Sequence, residues 1–144
     1  MVPEITMTDA ADERVKASIL NPLVRFNEMR TGGPMNYKPL AIFLSDPQTG
    51  EIVGGLWGET YFSYLYIDLL FVPESMRGAG LGRRLITQAE EEAVRRDCRG
   101  IWLDTFSWQA RGFYEKLGYS VFGTIDDYPP GHQRFFLRKA IGGA

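Results

Sequence analysis

An apolar run that breaks into a glycine-rich turn and then into a helix constrains this chain more than any other feature. Residues 64–72 are rich in aromatic, β-branched and leucine side chains over the length of a strand, and Pro73 prevents a simple continuation. Three glycines follow within residues 77–82, and from about Leu81 apolar residues recur at helical spacing. The segment therefore predicts a strand, a tight turn and a helix.

The turn has the composition of an anion-binding site. Glycines let the backbone approach a ligand closely, and amides at a helix N-terminus favour an anion through the helix dipole. With arginines beside them, a phosphate-bearing ligand fits better than an uncharged one, although the glycines alone fit a plain strand-to-helix turn equally well. The predicted phosphate-binding residues are Arg77, Gly78, Ala79, Gly80, Leu81, Gly82 and Arg83.

The spacing of these residues separates three phosphate motifs. A Walker loop ends in Gly-Lys-Ser/Thr, whereas this turn ends in Gly82-Arg83-Arg84 and offers no hydroxyl for magnesium. The dinucleotide fingerprint G-x-G-x-x-G requires a different glycine spacing and an early βαβ unit, and the sequence has neither. The pattern that remains is R-x-x-G-x-G after a strand.

Composition and charge narrow the functional class. With 144 residues and 44% hydrophobic residues, we expect one globular domain over residues 1–144. A net charge of −2 argues against nucleic acid as a partner, and the single Cys98 and His132 argue against a disulfide framework and a metal site. The sequence lacks a signal-like N-terminus and a run of about 18 apolar residues, so we expect no membrane segment and a cytoplasmic location.

Before the glycine turn, the pattern predicts helices followed by a hairpin. We expect a short strand at residues 3–7 and two short helices within residues 11–29, separated near Pro22. Strands at residues 40–44 and 51–57, joined by a turn that contains Pro47 and Gly50, form the hairpin.

After the turn, strands and helices alternate. We expect a helix to about Arg96, a strand at residues 101–105, and a second short helix that Thr105 or Ser107 caps and Gly118 ends. Two further strands follow at residues 119–124 and 133–138. The order predicts an α+β fold around a mixed sheet.

A second motif lies about thirty residues beyond the glycine turn. Residues 110–119, ARGFYEKLGY, resemble the A-x-x-F-Y-x-K-x-G-F/Y segment of the GNAT superfamily of acetyl-CoA dependent N-acetyltransferases, in which R-x-x-G-x-G binds the pyrophosphate of coenzyme A. Two motifs in this order are far more specific than either alone. The resemblance implies a GNAT-like fold with a central, mostly antiparallel mixed sheet flanked by helices, acetyl-CoA as co-substrate, no metal, and a homodimer.

The resemblance also implies particular cofactor contacts. Backbone groups of Leu70, Phe71 and Val72 would pair with the pantetheine arm, and an amide near Phe71 would polarise the thioester carbonyl. Residues 77–83 would hold the pyrophosphate. Ser107 stands where many members carry Asn, which leaves a side-chain contact to coenzyme A at this position open.

Acetyl transfer to an amine requires a base and a proton donor. A lysine-like amine with a pKa near ~10.4 costs roughly 4.6 kcal/mol to deprotonate at pH 7. Strand alternation places Tyr66, Asp68 and Leu70 on one face, the predicted cleft wall, so Asp68 is the candidate base, directly or through a water. An arginine-paired carboxylate is the equally weighted alternative. By resemblance, Tyr114 is the general acid for the leaving thiolate, and its alternative role is that of a core aromatic.

The acceptor end of the cleft is less constrained. Tyr37 lies in a polar and aromatic loop, and Tyr66 lies on the predicted cleft wall. By resemblance, Asp126, Asp127 and Tyr128 lie in a loop at the acceptor end, where two acids suit a cationic amine. Ordinary surface loops are the simpler interpretation of these segments.

Three functions remain open from the sequence. The first is an N-acetyltransferase that acts on a primary amine of a small molecule by direct attack in a ternary complex. The second is an acyl-CoA-binding or sensing module without turnover, and the third is an acetyltransferase of protein lysines or N-termini. Tyr114 favours an enzyme, because a binding module gains nothing from a phenol beside the thiol.

Overall fold

The computed structural model describes residues 1–142, which divide into a unit of Met1–Met35 and a unit that begins at Asn36. The first unit contains one helix, α1 (Glu13–Thr31), which begins where the Asp12 side chain accepts hydrogen bonds from two amides and ends at the left-handed Gly32. The predicted break near Pro22 is wrong, because the helix continues through Pro22 and tolerates the loss of the one backbone hydrogen bond that proline cannot donate. The predicted strand at residues 3–7 does not form, since this exposed segment has no partner strand.

From Asn36 to residue 142, the second unit is a six-stranded sheet with two α-helices and a short 3-10 helix, Glu74–Met76. The order of strands in the sheet is β1-β2-β3-β4-β6-β5, and every neighbouring pair is antiparallel except the parallel pair β3 and β4. This mixed, mostly antiparallel sheet confirms the predicted α+β class. The elements are β1 (Lys38–Ser45), β2 (Ile52–Tyr61), β3 (Tyr64–Phe71), α2 (Leu81–Arg95), β4 (Gly100–Phe106), α3 (Arg111–Lys116), β5 (Ser120–Asp126) and β6 (Gln133–Ala140).

The core lies between α2 and one face of the sheet. Four small or branched residues of α2 recur at helical spacing and are buried against the middle strands. On β4 the alternation is strict, so Ile101, Leu103 and Thr105 face this core, and Trp102, Asp104 and Phe106 face the other side of the sheet. The α2 residues are Leu85, Ile86, Ala89 and Ala93.

A β-bulge changes the direction of side chains on β3. Trp57 of β2 pairs with Leu69 and the next residue pairs with Ile67, so Asp68 is an extra residue without a partner in the ladder. Beyond Asp68, Leu70 packs toward the core while Leu69 is 60% exposed. The predicted alternation is therefore wrong after Asp68, because a bulge reverses the two faces and composition does not reveal it.

Candidate functional site

The sheet opens into a fork between its two parallel strands. β3 and β4 pair only from Tyr64 with Gly100 to Ile67 with Leu103, although both strands continue beyond these residues. Beyond the bulge, β3 stays with β2 and β4 stays with β6, so the facing backbone edges of residues 68–71 and 104–106 diverge. Because alternate residues of a strand direct their amides and carbonyls to each side, this fork presents hydrogen-bonding groups to whatever enters it.

A cleft of about 1120 Å³ fills the fork. Its lining comes from β3, the glycine turn, the start of α2, the end of β4 and α3. The lining includes Asp68, Leu70, Phe71, Val72, Arg77, Gly78, Gly80, Leu81, Gly82, Arg83, Asp104, Phe106, Trp108, Phe113, Tyr114 and Arg134. We call residues 69–72 and 77–83 the loop half. The network half consists of the lining residues Asp68, Asp104, Phe106, Trp108 and Arg134 together with Tyr66 and Tyr128, which bond to them but lie outside the lining, so the predicted cleft-wall position of Tyr66 is wrong.

The loop half presents a row of free amides. Gly78 and Gly80 have φ values of 89° and 75°, which L side chains rarely adopt, and a Cβ at either position would meet open space. Within residues 1–142, the amides of residues 78–83 donate to no protein acceptor, and the first backbone bond of α2 runs from Arg84 to Gly80. In the described part of the chain, no side chain caps α2, and the first turn of the helix contains no acidic residue. The N-terminus of α2 therefore offers free donors and a favourable dipole to a bound anion.

Two contacts fix the position of the glycine turn. The Nε of Arg77 donates to the carbonyl of Val72 at 2.9 Å, which ties the turn to the end of β3. A Cβ on Gly82 would lie 3.3 Å from the ring of Phe113, so this glycine allows the start of α2 to approach α3. The arginine therefore serves partly as a brace for the turn.

Tyr114 places a phenol in the cleft wall from α3. Its ring is 6% exposed and makes edge contacts with Phe113 and Tyr119. Burial, and then the negative charge of Asp104, raises the pKa of Tyr114 to about 12. The phenol therefore remains a hydrogen-bond donor at any physiological pH.

The segment that leads into α3 differs from the expected cap. The N-cap residue is Ala110, and no side chain caps the helix, but the Thr105 hydroxyl accepts from the Ala110 amide at 3.4 Å. Ser107 instead accepts from the Gln133 amide at 3.1 Å and lies 3.3 Å from Nδ1 of His132. Ser107 thus lies outside the cleft lining.

The network half contains a chain of polar side chains on the face opposite α2. Tyr66 donates to Asp104 at 3.0 Å, and its hydroxyl is 3.4 Å from Asp68. Arg134 donates to Asp104 through Nε and Nη2 at 3.0 and 2.7 Å, and through Nη1 to the Tyr128 hydroxyl at 3.0 Å. Burial, followed by the charge of Asp104, raises the pKa of Tyr66. Two carboxylates and one guanidinium therefore share a single bonded network.

Two members of this network were not expected from the sequence, Asp104 and Arg134. The register of β4 and β6 pairs Phe106 with Arg134 and Asp104 with Phe136. The charges of Asp104 and Arg134 therefore lie diagonally across these neighbouring strands on one face of the sheet. The available signal was a charge beside apolar residues in each strand, since Asp104 follows Ile101-Trp102-Leu103 in β4 and Arg134 directly precedes Phe135-Phe136 in β6. It could be interpreted only once β4 and β6 were known to be neighbours.

Several predicted positions lie outside the cleft lining. Ala79 belongs to the turn but does not line the cleft, and the exposed Tyr37 lies beside Glu59. Asp126 accepts from the Gln133 side chain at 2.7 Å, and Asp127 accepts from the Gly131 amide at 3.0 Å. These contacts brace the loop between β5 and β6. Among the predicted acceptor residues, Tyr66 and Tyr128 are the ones that bond to cleft-lining side chains.

Membrane-spanning helices and clusters of metal-ligating side chains are both absent from residues 1–142. No helix there is long and apolar enough to cross a membrane. No three side chains of His, Cys, Asp or Glu in that range are grouped as metal ligands would be.

The comparison with protein families decides the classification. Residues 19–119 match the model of the acetyltransferase (GNAT) family. The chain belongs to the GNAT family. As a GNAT protein it is an acyltransferase, and its family uses acetyl-CoA as the acetyl donor.

Individual relatives support this assignment. An acetyltransferase of Agrobacterium fabrum is 36% identical over 92% of this GNAT chain and 96% of its own length. The blasticidin-S acetyltransferase of Streptomyces morookaense is 40% identical over 74% of this chain and 81% of its own length. A crystal structure of an acetyltransferase from Bacillus cereus superposes with a TM-score of 0.81 at 32% identity, covering 94% of this chain and 98% of that one. The fold and the enzyme class predicted from the sequence are thus confirmed.

Proposed function

We propose that this protein transfers the acetyl group of acetyl-CoA to a primary amine of a small molecule, by direct attack in a ternary complex. The observation on which the proposal depends is the combination of an open fork with a row of free amides at its end. The fork offers strand edges to an extended pantetheine arm, in the manner of an added strand, and the amides of residues 78–83 offer donors to a pyrophosphate. An extended ligand with a diphosphate at one end matches both features.

The loop half would hold the cofactor mainly through its backbone. Leu70, Phe71 and Val72 lie along one arm of the fork, where their backbone groups would pair with pantetheine amides. An amide near Phe71 would donate to the thioester oxygen as negative charge develops there. Arg83 follows the turn at the cleft wall and adds positive charge beside the predicted pyrophosphate position.

Asp68 is the better of the two carboxylates for the role of base. Asp104 is engaged on both oxygens, by Arg134 and by Tyr66, which leaves it little capacity to accept a proton from a substrate. Asp68 is exposed at the bulge, lines the cleft, and has only the long contact with Tyr66 among the described side chains. In our proposal, Asp68 removes the ammonium proton directly or through a water.

Tyr114 would act as a hydrogen-bond donor to the departing sulfur. Free thiols titrate near ~8.5, about 3.5 pH units below this phenol, so complete proton transfer would cost roughly 5 kcal/mol. A hydrogen bond that strengthens as the thiolate forms avoids that cost and still stabilises the transition state. Bulk solvent can then protonate the thiolate after release.

Relatives named for small acceptors favour a small molecule over a protein. One relative is a blasticidin-S acetyltransferase, and another, from Azospirillum brasilense, is an IAA acetyltransferase that is 30% identical over 72% of this chain. Asp68 and Asp104 give the fork a net acidic lining on the network half despite Arg134, which suits a cationic amine.

Calorimetric titration with acetyl-CoA tests the proposal, with a nicotinamide dinucleotide as the control ligand. We expect binding of acetyl-CoA alone, followed by thiol release when small primary amines are added, and slower release with lysine-containing or N-terminal peptides. Binding without release for any amine would favour a sensing module. Absence of acetyl-CoA binding would refute the proposed function.

A further inference from the structure

The network half ends in an aromatic surface that the acetyl-transfer chemistry does not require. Phe106, the last residue of β4, stacks with Trp108 at a centroid distance of 4.7 Å and an interplanar angle of 9°. Both residues line the cleft, and Trp108 is 54% exposed. A large aromatic side chain left half-exposed in the wall of a cleft is typical of a ligand contact.

The surrounding side chains hold this pair of rings in place. The Arg134 guanidinium lies 5.3 Å from the centre of the Phe106 ring and is itself fixed by Asp104 at 2.7 Å. The imidazole of His132 meets the Trp108 indole edge-on at 4.8 Å, and Tyr128 contacts Phe106 at 5.6 Å. The orientation of the indole is therefore set before any ligand arrives, which lowers the entropy cost of binding.

The distance between the rings and the carboxylates limits the ligand. Phe106 lies two residues beyond Asp104 on the same face of β4, which is about 7 Å along a strand. A cation that approaches Asp68 or Asp104 could therefore be joined by a short spacer to a ring on Trp108. A saturated group would gain only apolar contact there, whereas a planar aromatic ring would also gain a stacking geometry.

We propose that Phe106 and Trp108 form a stacking platform that selects acceptors in which a planar aromatic or heteroaromatic ring is joined by a short spacer to the primary amine. This inference rests on the proposed function and narrows its substrate class. The carboxylates of the network half receive the amine, and the platform receives the ring. Trp108 is thus a specificity-determining residue of the acceptor site.

A matched pair of amines tests the platform. The protein is saturated with coenzyme A, and binding of 2-phenylethylamine and of 2-cyclohexylethylamine is measured by calorimetry. The two amines share the spacer and the cation and differ in the ring. We expect the aromatic amine to bind about fivefold more tightly, which corresponds to one favourable aromatic contact. Equal affinities, or no binding of either amine, would overturn the proposal.

Three variants assign the preference to the platform. Trp108→Ala should bring the affinity ratio close to one, and Trp108→Phe should retain most of it. Trp57→Ala is the matched control, because Trp57 is 46% exposed and lies outside the cleft lining, and it should leave the ratio unchanged. A Trp108→Ala protein that keeps the preference would contradict the proposal. So would one that loses acetyl-CoA affinity, because the indole would then belong to the cofactor half of the cleft.

Thiol release on the same preparations separates this inference from the proposed function. Turnover of both amines at equal efficiency by the wild-type protein would sink the platform alone. A binding preference for the aromatic amine without any thiol release would support the platform and contradict acetyl transfer.

Discussion

The two halves of the cleft are built from different chemical groups. The loop half offers backbone amides of a short continuous segment, residues 78–83, whose free donors result from glycine conformations and an uncapped helix. The network half offers side chains from three strands and two loops, and hydrogen bonds through Asp104 join residues as distant as Tyr66 and Arg134. A cofactor that stays the same can be held by backbone groups, which substitution does not alter. An acceptor that varies needs side chains, which substitution can change.

This contrast predicts different sensitivities to mutation. In the loop half, damage should come from changes in backbone conformation and should affect the cofactor. In the network half, substitutions that remove a charged or aromatic side chain should weaken binding of the acceptor. Tyr114 lines the cleft but belongs to neither half, and its loss should affect the chemical step.

The largest effect is expected for the loop half. In Gly80→Val, a β-branched residue is placed at φ 75°, so the turn should rearrange and the affinity for acetyl-CoA should fall by more than 100-fold. The fold should survive, because a Cβ at this position meets open space. Calorimetry with acetyl-CoA gives the affinity, and thermal unfolding gives the stability.

Gly50→Val is the matched control for that change. Gly50 lies in the turn between β1 and β2, has φ 76°, and also has open space where a Cβ would lie. Both variants should lose about 1–2 kcal/mol of stability through the same backbone strain, but Gly50→Val should bind acetyl-CoA normally. Normal binding by Gly80→Val would show that the loop is not the pyrophosphate site.

The next effect is expected at the chemical step. Tyr114→Phe removes the proposed donor to sulfur, so kcat should fall by about 100-fold while the affinity for acetyl-CoA stays within twofold. Tyr119→Phe is the comparison, because that buried phenol donates to Glu90 at 2.9 Å and lies in the core. It should cost about 1 kcal/mol of stability and leave kcat unchanged. Thiol-release assays at saturating substrates measure the kcat of both variants. An unaltered kcat in Tyr114→Phe would make Tyr114 a core residue only.

The same contrast explains how far the sequence could predict the site. Glycine spacing and the helix that follows are local signals, and the residues they indicated, 77–83 except Ala79, line the same cleft as Tyr114. Their binding roles stay predictions. The network half depends on which strands are neighbours and on a one-residue bulge at Asp68, and neither is a local property. For this reason Asp104, Arg134 and Trp108 were missed, and the face of Leu70 was predicted incorrectly.

A smaller effect is expected from the charge of the network half. Asp104→Asn keeps the shape of the side chain but weakens the bond to Arg134. In this ion pair the Arg134 side chain is 23% exposed and the Asp104 side chain is 11% exposed. We expect KM for the amine to rise about tenfold and stability to fall by about 2 kcal/mol, with acetyl-CoA affinity unchanged. Glu92→Gln, in the helical pair with Arg96, should cost only about 0.5 kcal/mol and leave both KM values unchanged. A changed acetyl-CoA affinity in Asp104→Asn would remove the distinction between the halves.

The smallest effect is expected for the pH dependence of kcat, which reflects the raised pKa of Tyr114. An ordinary tyrosine with a pKa near ~10 would lose half of its donor form at pH 10, whereas a pKa of about 12 leaves Tyr114 almost fully protonated there. The kcat at saturating substrates should therefore change less than twofold between pH 8 and pH 10. Because the folded pKa is raised, the stability that the neutral phenol contributes is complete below about pH 10 and is lost as the pH rises through 12.

The charge of Asp104 gives this pH profile a direct test. Burial is the larger cause of the raised pKa and Asp104 the smaller, so Asp104→Asn should move the titration of Tyr114 to lower pH without restoring the ordinary value. Ultraviolet difference titration of the wild-type protein against Tyr114→Phe follows this one phenol, and the same pair in the Asp104→Asn background reveals the shift. An identical titration in both backgrounds would mean that the network half does not reach the group beside the leaving sulfur, and the two halves would then act independently.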